Sequence, residues 1–238
     1  MTDKDKKIRE YLDEKINEYD KILKSFYEEH WIEELALKSA FKPEILSVAA
    51  EAKDAATQEE AKAEILTQVI LLNQLYSIGL QQNPTNNETK KKRKAEYKET
   101  IDVKAMTDRI YDNAKELEKC IKEGDPKAVE IIRNDNSEKY KDAYSFATKY
   151  CSFSNPEKYP IVDQYVKKML KGLLGSGVFD EERFKSVSGI RKGALDKNYG
   201  AFVKVHKAFQ KYIRETANSD FFSCKYTDIF LWNCGKEY

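Results

Sequence analysis

Apolar residues recur every three or four positions along most of the chain, and no stretch alternates apolar and polar residues between hairpin turns. A helix brings residues at these spacings onto one face, whereas a half-buried strand needs alternation. The clearest series is N-terminal and consists of Ile8, Tyr11, Leu12, Ile16, Tyr19, Ile22, Leu23 and Phe26. The spacing therefore predicts an all-α protein with a compact multi-helix fold.

Start and stop signals divide this pattern into separate predicted helices. Thr57 and Glu60 have the spacing of a capping box, while Gly124 and Gly235 suit helix ends. The turn-rich stretch at 81–90 separates an N-terminal helical layer from the remainder, and we expect the two regions to form one integrated unit. The predicted regions are about 1–85 and 86–238, and the predicted helices cover about 5–30, 44–56, 57–79, 101–121, 126–133, 137–154, 163–175, 202–213 and 226–235.

Composition indicates a folded protein without a membrane span. Hydrophobic residues make up 41% of the 238 residues and charged residues 35%. No apolar run approaches the roughly 20 residues that a spanning helix needs, and the N-terminal sequence lacks the apolar core of a signal peptide. We therefore expect a cytoplasmic protein that does not use a membrane as a partner.

Histidine and cysteine are too scarce for most metal sites. The four cysteines are widely spaced and form no CxxC pair, and the two histidines are far apart in sequence. Zinc sites and histidine-based catalysis are thus disfavoured, and acid–base chemistry has to rest on Asp, Glu, Lys or Tyr. The sequence predicts no cofactor and no metal, and it favours His206 as a packed core residue.

The near-neutral total charge conceals a difference between the two ends of the chain. Residues 137–238 carry 18 basic and 12 acidic side chains, whereas residues 1–136 carry 24 basic and 29 acidic ones. A basic C-terminal part is typical of a protein that contacts a polyanion. Scattered, solvated lysines are an equally good interpretation of the charge alone.

The segment 144–170 has the features of two helices joined by a proline turn. Asn155 precedes Pro156, and a residue before proline is driven out of the helical region. Asp163 then has the chemistry of a helix N-cap, because apolar residues follow it at helical spacing. One carboxylate is therefore expected at a helix N-terminus, with an N-cap without any other role as the alternative interpretation.

The helix, the proline turn and the element Tyr159-Pro-Ile-Val-Asp163 resemble the core of the helix-hairpin-helix superfamily of DNA glycosylases, the group of endonuclease III, and most closely its 8-oxoguanine or adenine-removing branches. The resemblance covers about 144–170 and implies a helical enzyme that acts on double-stranded DNA with a flipped base. It also implies that Asp163 is the catalytic carboxylate, because the aspartate of this element is catalytic in the family.

Two features depart from the family pattern. Bifunctional members carry a nucleophilic lysine in the preceding helix, at a position that falls on Ser145 or Tyr144 here. Lys141 and Lys149 lie one helical turn on either side of Ser145, so each is a candidate nucleophile if the register differs. A monofunctional hydrolase is the simpler prediction.

The second departure is a missing Gly-rich hairpin, the part of the family that binds a DNA phosphate. At that place the chain has the sequence Asn134-Asp-Asn-Ser-Glu-Lys139, in which Ser137 can cap a helix that presents its N-terminus to phosphate. Arg191 and Lys192 follow a Ser-Gly turn that suits an amide nest, with an ordinary exposed loop as the alternative. The predicted DNA-binding residues are Ser137, Lys139, Lys141, Ser145, Arg191 and Lys192.

Aromatic side chains are candidates for lining the pocket of the flipped base. Tyr144 opens the preceding helix, and Phe230 and Trp232 lie in an aromatic C-terminal stretch. Family members often fold their C-terminal part beside the catalytic segment, which makes these two rings pocket candidates. Packing in the core is the alternative role for both.

The sequence thus predicts a DNA glycosylase-like enzyme that removes a damaged or modified base, with an 8-oxoguanine-type purine favoured, in DNA repair or in defence against foreign DNA. The first rival is a non-catalytic helical module that binds DNA or protein on the same scaffold. The second rival is an interaction protein that uses the amphipathic helix at 5–30 for partner contacts.

Overall fold

The computed structural model describes residues 3–76, 102–133, 143–180, 182–217 and 223–238. Every regular element in these ranges is helical, so the prediction of an all-α fold is confirmed. Two short 3₁₀ helices, Glu182–Val187 and Lys192–Asp196, accompany the α-helices. The α-helices are α1 (Asp3–Ile16), α2 (Tyr19–Ala40), α3 (Ile45–Glu51), α4 (Ala55–Leu75), α5 (Val103–Asp112), α6 (Ala114–Glu123), α7 (Lys127–Arg133), α8 (Tyr144–Ser154), α9 (Gln164–Gly175), α10 (Tyr199–Ala217) and α11 (Cys224–Glu237).

The chain divides into two compact units. One, here called the terminal unit, contains residues 1–31 and 156–238, and the other, the central unit, contains residues 32–155. This grouping joins the N-terminal helix to the C-terminal region, whereas the sequence suggested a boundary near residue 85, which lies outside the described residues.

Helix α9 lies at the centre of the terminal unit. Helices α1, α10 and α11 all pack against it. Gly172 on α9 lies against Ile8 of α1, and a Cβ placed on Gly235 of α11 would be only 2.6 Å from the carbonyl oxygen of Tyr165 on α9. The contact at Gly235 is with backbone and needs glycine, so it fixes how closely α11 packs on the first turn of α9.

The same observation corrects the prediction for the last helix. Gly235 was expected to end it, but α11 continues to Glu237. Helix interiors tolerate glycine at a cost of roughly 1 kcal/mol relative to alanine. In this position the missing side chain allows two backbones to approach, which compensates for that cost.

The central unit is built around α4 and α8. The Gln68 side chain of α4 is buried, accepts a hydrogen bond from the Tyr150 hydroxyl of α8 at 2.7 Å, and donates one to the Ala40 carbonyl at 3.0 Å. Phe41 packs on the Tyr150 ring with the ring centroids 5.2 Å apart. A polar group that is satisfied in this way can be buried without a large cost.

Two helices that the sequence predicts as continuous are interrupted. The region 5–30 forms α1 and α2 with a break at Asn17, and the region 101–121 forms α5 and α6 with a break at Asn113. At each break the asparagine amide donates to the carbonyl four residues earlier, of Asp13 at 3.3 Å and of Arg109 at 2.8 Å. Side-chain hydrogen bonds of this kind compete with the helical backbone pattern and favour a turn.

Helix caps were predicted with mixed success. Gly124 adopts the left-handed conformation (φ 78°) at the end of α6, as predicted. Helix α4 begins earlier than the proposed capping box, because the carboxylate of Asp54 accepts hydrogen bonds from both the amide and the hydroxyl of Thr57. Asp54 therefore caps the helix, and Thr57 lies in its first turn.

Candidate functional site at the start of helix α9

Asp163 is the N-cap of α9, as predicted. Helix α8 ends at Ser154, before Asn155 and Pro156, and residues 159–163 contain no helix. Asp163 has extended backbone angles (φ −111°, ψ 158°), and its Oδ1 accepts a hydrogen bond of 2.8 Å from the amide of Tyr165. The side chain is half-buried. The positive end of the helix dipole attracts a carboxylate at this position.

The segment that leads to Asp163 is fastened through its main chain. The hydroxyl of Tyr199 on α10 donates a hydrogen bond of 2.9 Å to the carbonyl of Pro160. One residue on, the amide of Ile161 donates a hydrogen bond of 2.7 Å to Oδ2 of Asp228 on α11. Two helices thus hold the carbonyl and the amide of one peptide group, between Pro160 and Ile161, two residues before the N-cap, which restricts where the carboxylate of Asp163 can be.

Asp228 is in buried contact with His206. The two side chains are buried, and Nε2 of His206 lies 3.0 Å from Oδ1 of Asp228. The two atoms are in close polar contact without the alignment of a full hydrogen bond. Burial raises the pKa of Asp228, while His206 and the amide of Ile161 act in the opposite direction. His206 is a core residue, as predicted, but sequence reasoning missed its acidic partner.

A lysine-lined concavity of about 480 Å³ lies beside α9 in the terminal unit. Lys171 contacts both carboxylate oxygens of Asp196 at 2.7 Å, and Lys167 lies 3.4 Å from Oδ1 of the same carboxylate. Lys171 accordingly lowers the pKa of Asp196. The lining residues of this surface, here called the lysine concavity, are Ile8, Gln164, Lys167, Lys168, Lys171, Gly172, Lys192 and Asp196.

Only part of this basic surface was predicted. Lys192 lines the concavity, and its neighbour Arg191 is exposed just before the 3₁₀ helix. The three lysines of α9 were missed as a group. Lys167, Lys168 and Lys171 are one, three and four residues apart, which places them on one side of the predicted helix. This helical spacing is the sequence signal from which they could have been found.

Trp232 is the predicted pocket aromatic that retains exposed surface near α9. Its ring centroid lies 6.4 Å from that of Tyr165 and 6.1 Å from that of Phe26. The amide of Tyr165 is the group that donates a hydrogen bond to Asp163. Phe230, in contrast, has no exposed surface and packs between Tyr19 and Phe209. Phe230 therefore has the core role that was its alternative, because none of its ring is accessible to a base.

The remaining described candidates belong to the central unit, whereas Asp163 belongs to the terminal unit. Lys149 is 6% exposed, donates a hydrogen bond of 2.9 Å to the hydroxyl of Ser145, and lies 5.3 Å from the ring centroid of Tyr76. The Tyr144 ring is buried under the guanidinium of Arg133, 4.1 Å from its centroid. Ser137, Lys139 and Lys141 lie outside the described residues.

The described ranges contain no group of three or more His, Cys, Asp or Glu side chains that could hold a metal ion. In the same ranges, none of the helices combines the length and the apolar character needed to cross a bilayer.

Fold and site together define an all-helical protein in which the carboxylate of Asp163 caps the N-terminus of α9, beside the lysine concavity. Residues 5–158 match the family model described as HI_0787_N, an N-terminal domain. This match covers more than half of the chain, so the protein belongs to the HI_0787_N family.

Among curated proteins, an uncharacterized protein of Haemophilus influenzae is 38% identical over 129 residues. The alignment covers 52% of this chain and 52% of the relative, so the chain spans about half the length of the curated relative that it matches. No solved structure matches the chain.

Proposed function

We propose that the protein is a DNA N-glycosylase in which Asp163 supplies the essential carboxylate. The observation that carries the proposal is the position of this carboxylate at the N-terminus of α9, after a segment whose Pro160–Ile161 peptide group is held by Tyr199 and Asp228. A side chain that stabilises a transition state has to be held in place before the reaction, and this arrangement meets that requirement.

Cleavage of an N-glycosidic bond builds positive charge on the sugar as the bond to the base breaks. A carboxylate on one face of the sugar stabilises that charge or orients the attacking water. Water supplies the oxygen that ends on the sugar carbon, and the base leaves with the bonding electrons and a proton. Asp163 performs the electrostatic part of this reaction in the proposal.

The base pocket and the monofunctional mechanism rest on further residues. The partly exposed ring of Trp232, near Tyr165, supports stacking on a flipped base. Ser145 and Tyr144 occupy the positions where bifunctional relatives carry a lysine, which supports hydrolysis by water. The proposed substrate is double-stranded DNA with a modified base, favouring an 8-oxoguanine-type purine, in repair or in defence against foreign DNA.

The test is a base-release assay on duplexes that each contain one damaged or modified base, with alkali used to cleave the resulting abasic sites. We expect Asp163→Asn to lower the rate at least about 100-fold, the scale of losing one preorganised electrostatic group. Asparagine caps helices as well as aspartate does, so the fold and DNA binding should persist. The exposed Asp20, changed to asparagine, is the matched control. Undiminished release by Asp163→Asn would refute the mechanism.

Borohydride trapping separates the two mechanistic classes. A monofunctional enzyme forms no imine with the abasic sugar, so we expect no covalent protein–DNA product. A trapped product that disappears in Lys149→Ala or Lys141→Ala would contradict water as the nucleophile and identify the lysine.

A non-catalytic DNA-binding module is the second candidate, and the lysine concavity favours it because a basic surface binds phosphate without any need for Asp163. This candidate predicts salt-sensitive binding to DNA with no base loss from any of the duplexes.

A further inference from the structure

We propose that the lysine concavity binds consecutive backbone phosphates of DNA, next to the nucleotide that Asp163 faces. The choice of DNA as the ligand rests on the proposed function, whereas the affinity of the concavity for phosphate rests on its own charges and shape.

The formal charges of the lining residues favour an anionic ligand. Four lysines and one aspartate line the concavity, which leaves a formal surplus of three positive charges. Lys167 and Lys171 are four residues apart on α9, a spacing at which like charges destabilise a helix. Both lysines contact the single carboxylate of Asp196, which neutralises only part of their charge. A polyanion has the charge that complements this arrangement.

The surface around the lysines is concave and partly apolar. Gly172 and Ile8, which lie against each other, line the concavity of about 480 Å³ together with the lysines. A concave wall of low dielectric constant concentrates the field of one sign of charge. The attraction for an anion is therefore larger here than on a flat surface with the same lysines.

The lysines follow Asp163 along α9 at regular intervals. A helix rises 1.5 Å per residue, so Lys167 and Lys171 lie roughly 6 and 12 Å from Asp163 along the axis. One strand of duplex DNA carries a phosphate about every 3.4 Å of axis. The roughly 6 Å between the two lysines thus corresponds to about two phosphate steps, starting about one helical turn from the carboxylate. Gln164, which also lines the concavity, is the residue that follows Asp163.

Asp196 has a defined role in this site. Lys171 holds the pKa of Asp196 below its ordinary value, so the carboxylate stays ionised and keeps two lysines oriented towards the concavity. An arriving phosphate competes with it for the same ammonium groups. Removing its charge should therefore strengthen DNA binding, whereas removing a lysine should weaken it.

The experiment measures fluorescence anisotropy of a labelled, undamaged 20-bp duplex as salt is varied. The slope of log K against log salt is negative, and each lost phosphate contact should make it less steep by about 0.9. This change corresponds to about eightfold weaker binding at 0.1 M salt. We expect this change for Lys167→Gln and again for Lys171→Gln, and tighter binding for Asp196→Asn. Lys21→Gln, on an exposed lysine of α2 outside the concavity, should bind like the wild type.

Folding and ligand source have their own controls. Lys167→Arg/Lys171→Arg keeps both charges and should retain affinity, while thermal midpoints report whether the glutamine variants fold. Tripolyphosphate is the competitor that separates the two sources of phosphate. If it displaces the duplex from the wild type only at millimolar levels, the DNA backbone is supported as the ligand. Displacement at micromolar levels would overturn DNA in favour of a free polyphosphate.

Failure of this site and failure of the proposed function can be told apart. Lysine-dependent binding without base release from any duplex would refute the glycosylase and support the phosphate site. Base release with unchanged affinity and salt slope in the Lys167→Gln/Lys171→Gln variant would refute the phosphate site alone. No anisotropy change for the wild type at 25 mM salt would overturn both.

Discussion

Replacement of Asp228 by alanine should destabilise the fold more than any exposed substitution, because it removes the polar partner of His206 in the core and of the Ile161 amide. The carboxylate bridges two groups, with one oxygen 3.0 Å from His206 Nε2 and the other accepting the Ile161 amide at 2.7 Å. His206 has no exposed surface, so water cannot replace the lost partner.

The expected magnitude follows from these two contacts. Asp228→Ala removes the partner of two polar groups, His206 Nε2 and the Ile161 amide, and leaving one such group unsatisfied costs about 1–3 kcal/mol. We therefore expect a loss of about 4 kcal/mol in the free energy of unfolding. For a chain of this length each kcal/mol lowers Tm by roughly 2–4 °C, so Tm should fall by about 8–16 °C.

The assay is urea unfolding at pH 7, followed by far-UV circular dichroism, for the wild type, Asp228→Ala, His206→Leu and the double variant. Replacing both members by apolar groups leaves no buried charge, so the double variant should be at least about 2 kcal/mol more stable than the sum of the single losses implies. Asp20→Ala, at an exposed position, should remain within about 0.5 kcal/mol of the wild type.

Two results would refute this reasoning. A loss below about 1 kcal/mol for Asp228→Ala would mean that the carboxylate contributes no more than an exposed pair does. Additive single and double variants would mean that His206 and Asp228 are not energetically coupled, whatever their distance in the structure.

Two other predictions concern packing and thiol reactivity. Gly235→Ala places a Cβ 2.6 Å from a carbonyl oxygen of α9 and should lower the free energy of unfolding, measured by thermal unfolding, by about 1–3 kcal/mol. Gly193 has open space around it, so the control Gly193→Ala should be nearly neutral. Equal stability of the two variants would contradict the close packing of α11 on α9. All four cysteines are buried, and burial raises the pKa of Cys224 to about 12. A thiol reagent at pH 8 should therefore react only slowly with the native protein, whereas in urea it should react with all four thiols. A thiol that reacts within seconds in the native state would be inconsistent with this burial.

Local signals in the sequence were sufficient for the features that depend on neighbouring residues. Apolar spacing predicted the all-helical fold, Pro156 predicted the end of α8, and the chemistry of aspartate predicted the cap at Asp163. Helix formation and capping involve residues within one or two turns, so their determinants can be read in order along the chain. The breaks at Asn17 and Asn113 were missed because asparagine within a helix and asparagine at a turn look alike in one sequence.

Only the tertiary structure brought together the groups that hold and surround Asp163. Ile161 and Asp228 are 67 residues apart in sequence, and the lysine concavity combines side chains from α1, α9 and the 3₁₀ helix at 192–196. Such contacts arise from packing between elements, which no local pattern encodes. The sequence by itself thus determined the helices and the carboxylate at the start of α9, and the packed fold decided which partners fasten that carboxylate and which charges lie beside it.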